Sequence, residues 1–143
     1  MRRYPEMYLK KTDYGPAPFV GNVRQMALDH HNFRTAVWTG EHLQLTLMNI
    51  PICGEIGLEM HEDTDQMVRV EYGQAKVMMG REESSLNLQA NLNTGDAVFV
   101  PAGTWHNIIN TGRSPLKLSS VYAPPHHKHG TVHRTKEEAA GEY

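Results

Sequence analysis

An all-β sandwich or barrel is the fold class that the sequence predicts, on three observations. Short runs rich in Val, Ile, Leu, Thr and aromatic residues recur from residue 34 to residue 123. Turn-forming residues punctuate them, at Thr39-Gly40-Glu41, Gly54, Gly73, Asn93-Thr94-Gly95-Asp96 and Thr111-Gly112-Arg113-Ser114-Pro115. No long stretch carries helical periodicity, and there is no internal repeat.

The elements follow in order. Residues 1–30 read as an arm, because Tyr14-Gly15-Pro16-Ala17-Pro18 cannot hold a regular element. It is expected to lie over the barrel or over a neighbouring subunit, with a short helix or turn at Asn22 to Asp29. Strands are expected at Thr35–Thr39, His42–Ile50, Ile56–His61, Gln66–Tyr72, Gln74–Met79, Leu86–Leu92, Ala97–Val100, Trp105–Asn110 and Leu116–Ala123. Together they make a barrel over 33–123, and Pro124-Pro125 ends the last strand. The tail, 124–143, is histidine-dense and closes on Thr135-Lys136-Glu137-Glu138, whose spacing is that of a capping box.

Composition excludes several classes of function. The chain has 143 residues, one domain's worth, a formal charge of −2 and no run of Lys or Arg. Neither nucleic acid nor an anionic membrane is expected as a partner. One cysteine rules out an internal disulfide, and no apolar stretch reaches membrane-spanning length. The expected location is the cytoplasm, or outside the cell if a signal peptide has been removed.

The chemistry concentrates in two places. In Gly95 to Asn110, Pro101 and Gly103 suit a sharp turn. After it, His106, Ile108 and Asn110 share one strand face, and Trp105, Asn107 and Ile109 share the other. Upstream, Glu59 and His61 are two apart and leave the same face of their strand. Placing Gln66 inward also turns Val68, Val70 and Tyr72 inward, and Met67, Arg69 and Glu71 outward. A rival register pairs His61 with Asp63, but Asp63-Thr64-Asp65 reads better as a turn.

Gly95, Pro101, Gly103, His106 and Asn110 match, at every spacing, the second motif of the cupin superfamily. The chain after residue 30 resembles small bacterial single-domain cupins labelled mannose-6-phosphate-isomerase-like. That resemblance implies a cupin jelly-roll barrel with an extended N-terminal arm and a His-rich C-terminal tail. It also implies that His106 is a metal ligand at the barrel mouth. The first cupin motif is altered here. Anchored on Gly73, its glutamate position falls on Gln66 and its paired histidines fall on Glu59 and His61. The implied metal set is Glu59, His61, Gln66 and His106.

Two imidazoles, a carboxylate and an amide oxygen suit one divalent transition metal per chain: Cu, Fe or Mn, with Zn or Ni as further options. Tyr72, facing inward, and His133, carried back over the mouth by the tail, are the candidate catalytic residues. His126, His127 and His129 read as a solvated tail. Trp105 is a candidate for stacking on a substrate ring. Leu43 to Met48 offers apolar surface for a homodimer contact.

Three functions are compatible with this reading. The first is a metal-dependent oxidoreductase, an oxygenase or oxidative-cleavage enzyme on a small oxygen-rich or carbohydrate substrate. The second is a redox-neutral sugar isomerase or epimerase using the metal as Lewis acid. The third is a non-catalytic module binding a sugar or metabolite. A phosphorylated substrate is disfavoured, because parity turns Arg69, Lys76 and Lys117 outward and leaves only Arg34, whose facing is open. The oxidoreductase is the preferred reading.

Overall fold

The computed structural model describes residues 12–141. Helix α1 (Val23–Leu28) precedes eight strands: β1 (Arg34–Thr39), β2 (Gln44–Ile50), β3 (Asp65–Tyr72), β4 (Ala75–Gly80), β5 (Leu88–Leu92), β6 (Ala97–Val100), β7 (Trp105–Asn110) and β8 (Leu116–Ala123). The tail adds β9 (Val132–His133) and α2 (Lys136–Ala140). Three of the expected strands coincide with β6, β7 and β8 residue for residue. Five others differ by one or two residues at an end, where fraying and turn chemistry blur a boundary.

The strands form two sheets, ordered β6-β3-β8-β2-β1-β9 and β5-β4-β7. Period-two alternation gives each sheet an apolar inner face, and these faces close on one another. Met48, Ile50, Val68, Val70, Val98, Val100, Leu116 and Leu118 enter this core from the larger sheet. Ala75, Val77, Met79, Leu92 and Ile108 meet them from the smaller one. The predicted apolar walls (Val68, Val70, Ile108, Leu116 and Leu118) are all in that cluster.

A second, smaller cluster sits on the outer face of the larger sheet. Ala27 of α1 packs on Val37 and Leu47, with Val23, Met26 and Leu45 around them. Of the apolar run Leu43 to Met48, Leu47 is buried in this cluster and Met48 in the main core, while Leu43 is exposed. The arm, from residue 12 onward, runs beside β1. Tyr14 donates its N–H to the Val37 carbonyl (3.0 Å), and Trp38 Nε1 donates to the Ala17 carbonyl (2.7 Å). Asp13 accepts from Thr39 Oγ1 and from the Gly130 N–H, so it ties arm, β1 and tail together.

Two expectations need correction. The stretch Ile56–His61 is extended but is not a ladder strand. It meets β7 through isolated bridges at Glu55↔Ile109 and Glu59↔His106, with the Gly57 N–H donating to Asn107 Oδ1 (2.9 Å) between them. The registers of the two bridges differ by one residue, and Gly57 between them has φ +106°, the extra residue of a bulge. Tyr72 is not inward. The pairing of β3 with β8 shifts between Val70 and Tyr72, which puts Tyr72 opposite Lys117 on the outer side. That irregularity breaks the alternation after Val70: Glu71 keeps to the outer face, buried under α1 and accepting from Ser119 Oγ at 2.6 Å, and Tyr72 follows it outward at 47% exposure.

Candidate metal centre

Local pairing brings Glu59 and His106 together. The Glu59 N–H donates to the His106 carbonyl (3.0 Å) and the His106 N–H to the Glu59 carbonyl (2.9 Å). Residues so paired lie directly opposite, with side chains on the same face. His61, two residues on, shares that face. The turn after β6 fixes the other side, because the Gly103 N–H donates to the His61 carbonyl at 2.8 Å. Gly103 holds φ +81°, a conformation open to glycine, so the Pro-x-Gly element docks the second motif onto the first.

The result is a compact cluster. One ligand atom from each of Glu59, His61 and His106 lies within 4.8 Å of the others. Glu59 Oε2 is 3.8 Å from His61 Nε2 and 3.6 Å from His106 Nε2. Both contacts are too long for hydrogen bonds. Both histidine Nε2 atoms are buried without a hydrogen-bond partner. His106 Nδ1 lies 3.0 Å from the Thr104 carbonyl. A carbonyl only accepts, so Nδ1 carries the proton and the Nε2 lone pair points at the cluster.

Electrostatics agree with this geometry. Burial pushes the Glu59 carboxyl up, but His106, His61 and Arg34 outweigh it and hold the group below the ordinary carboxylate value. Burial lowers His61 to about 4, with Glu59 opposing and His126, His106 and Arg34 adding to the fall. A neutral His61 beside an ionised Glu59 is the protonation state a divalent ion requires.

Gln66 occupies an inward position on β3. Its Nε2 donates to Ser120 Oγ (2.8 Å), and its Oε1 is buried with no hydrogen-bond partner. An acceptor oxygen left bare by a fixed amide nitrogen has the chemistry of a ligand or substrate contact. Asp63, of the rival register, is exposed in the turn before β3. Asn110 is a structural clamp: its Nδ2 donates to the carbonyls of Ile50, Pro51 and Ser114.

The tail reaches the mouth, and other histidines than the expected one lie nearest the cluster. The His126 ring sits 4.0 Å from the His61 ring, centroid to centroid. Tyr122, fully buried on β8, meets His61 edge-on at 5.8 Å. Burial, with Arg34 next, pushes His127 down to about 2. Gln44 fixes this segment, its Oε1 accepting from the N–H groups of His126 and His127. This segment is therefore held at the mouth: His127 is half-buried there, while His126 stays exposed to solvent beside His61. His133 is buried on β9 opposite Arg34. Its Nδ1 is 3.4 Å from Arg34 Nη1, and its ring is 6.4 Å from that of His127.

Over the cluster opens a pocket of about 530 Å³. Glu59 and His61 line it together with Ile56, Trp105 and Ala139 of α2. Trp105 thus lines the pocket, as a stacking residue would. Arg34 also lines it, almost fully buried, and Lys136 stands beside it. The facing of Arg34, open in the sequence, is thus inward, while a phosphorylated substrate was disfavoured for want of such a cation. β1 pairs Arg34 with Met48, a core residue, which sets Arg34 on the inner face.

Tyr122 was missed, though its signal was present. Leu116, Leu118, Ser120 and Tyr122 share one face of β8, so the parity that turned the leucines inward also turns Tyr122 inward. For Arg34, the missing element was its pairing partner.

Residues 46–122 match the cupin domain family, more than half of the chain. The chain belongs to the cupins. It is 52% identical over 136 residues to the uncharacterized protein YrkC of Bacillus subtilis (strain 168), covering 95% of this chain and 73% of that one. It is 34% identical over 124 residues to the uncharacterized protein L612 of Acanthamoeba polyphaga mimivirus, covering 86% and 76%. The crystal structure of BH2720 from Bacillus halodurans superimposes with TM-score 0.90 at 51% identity, covering 91% of this cupin and 98% of that chain. Among the described residues no helix is long and apolar enough to cross a membrane.

Proposed function

We propose that this cupin is a metal-dependent enzyme of the oxidoreductase class, acting with O2 or peroxide on a small oxygen-rich substrate. The observation that carries the reading is the Glu59–His61–His106 cluster, with its bare Nε2 atoms, two of whose members, Glu59 and His61, line the 530 Å³ pocket. Three protein ligands, or four with Gln66, leave coordination positions free for a reactant. A redox-active Fe, Mn or Cu ion held there would supply one-electron chemistry. The residues do the rest: Thr104 fixes the His106 tautomer, Glu59 keeps its charge, and the apolar core behind the cluster excludes water.

Lewis-acid chemistry is the second reading, and one observation favours it. Arg34 and Lys136 line the pocket, so the argument against an anionic sugar no longer holds. The two readings part on one experiment. Apoprotein is loaded with Fe(II), Mn(II), Cu(II) or Zn(II), and O2 or peroxide consumption is followed with sugars and small organic acids. The oxidoreductase reading expects turnover with the redox metals only. Equal turnover with Zn(II) under argon would overturn it in favour of isomerase chemistry.

A further inference from the structure

Arg34 is almost fully buried at 2% exposure, yet it has no carboxylate partner among the described residues. A buried guanidinium without an anion is costly, and such cations are normally paired. Its neighbours show what it is held for. Nη1 is turned to His133 Nδ1 at 3.4 Å, the Phe33 ring lies 5.3 Å from the guanidinium carbon, and Nε is buried with no hydrogen-bond partner. The group is thus positioned from two sides with an unused donor, and it lines the pocket that holds Glu59 and His61.

A second cation lines that pocket from a different element. Lys136, the first residue of α2, lies beside Gly57, where a Cβ would meet its Cε and Nζ at 3.5 Å. Glu59 is the one carboxylate among the described lining residues, and it faces the two histidines. With Glu59 given to a metal ion, the pocket presents two uncompensated positive charges.

We infer that the substrate carries a carboxylate, seated between Arg34 and Lys136 in the pocket above the Glu59–His61–His106 cluster, resting on the enzyme reading above. A carboxylate fits better than a phosphate. The bare Arg34 Nε–H and the Lys136 ammonium stand on separate elements, one for each oxygen of a carboxylate.

The test is calorimetric titration of Zn(II)-loaded protein with malonate, dimethyl malonate and inorganic phosphate. Wild type should bind malonate and ignore the diester. Arg34→Gln should weaken malonate by about 10-fold or more, the loss expected of a hydrogen bond to a charged group. Lys136→Gln, an exposed change, should weaken it about 3-fold. Phosphate binding tighter than malonate, diester binding as tight as malonate, or a folded Arg34→Gln with unchanged affinity would each overturn the inference. If Arg34→Gln fails to fold, Lys136→Gln decides, and unchanged affinity there overturns it. Metal stoichiometry, measured separately, distinguishes the two failures. Lost metal binding with intact malonate binding sinks the enzyme reading, and the reverse sinks only this one.

Discussion

Glu59 is the residue in which the chemistry of the site is concentrated. It stands where the first cupin motif ordinarily has a histidine, and its Oε2 lies 3.8 and 3.6 Å from the His61 and His106 Nε2 atoms. A carboxylate there lowers the charge of a bound divalent ion's site by one, which Gln66, neutral in place of a glutamate, restores. His61→Ala and His106→Ala should each abolish stoichiometric metal in protein purified without nickel, read by atomic spectroscopy. Glu59→Ala should weaken metal at least 10-fold, and Asp63→Ala, exposed in its turn, should leave it unchanged. Metal lost in Asp63→Ala and kept in Glu59→Ala would show that the ligand register is wrong.

At the scale of elements, the tail is a structural member. β9 pairs with β1 through Arg34↔His133 and Thr35↔Val132, and Ala139 of α2 joins the main core cluster. Thr135 caps α2, its Oγ1 accepting from the Glu138 N–H at 3.2 Å, while Glu138 Oε1 accepts from the Arg134 N–H. Deleting residues 126–143 therefore removes the pocket wall, the partner of Arg34 and part of the core at once. It should lower the melting temperature by about 10 °C or more, since roughly 1 kcal/mol moves a domain of this size by about 4 °C. A truncated chain melting within about 2 °C of wild type would show that the tail only rests on the barrel.

The whole molecule holds several histidines neutral, and that has a consequence for its stability. Burial, aided by Lys117 and His31, pushes His30 down to about 4, and its Nε2 lies 2.7 Å from Thr35 Oγ1. His61 lies at about 4 and His127 at about 2. In the unfolded chain each would titrate near 6.5. Between those values the unfolded state binds protons that the folded state refuses. The stability from these sites is therefore full above about pH 6.5 and is lost as pH falls toward 4. Metal-free protein should show a melting temperature that declines over this window. His30→Gln, which lies outside the metal cluster, should flatten the decline. An identical slope in that variant would remove His30 from the account.

Much of the fold was legible in local chemistry, because alternation and turn residues act within a few positions of each other. The sandwich, eight of its strands and the apolar walls follow from period-two patterning, and the Pro101–Gly103 turn follows from the φ angles those residues permit. The spacing of Glu59, His61 and His106 was likewise readable, since parity along a strand fixes which side chains leave together. What lay beyond reach depended on contacts distant in sequence. The shift between Val70 and Tyr72 exists only against β8, and it turns Tyr72 out. The facing of Arg34 is set by β2 and β9, its partners across two sheet seams. His126 reaches His61 because Gln44, 82 positions away, holds its backbone. Alternation within a strand is a local steric property of the chain, so the sequence determined it alone; which strand lies beside which, and which pocket a buried cation therefore faces, was decided only when the barrel closed.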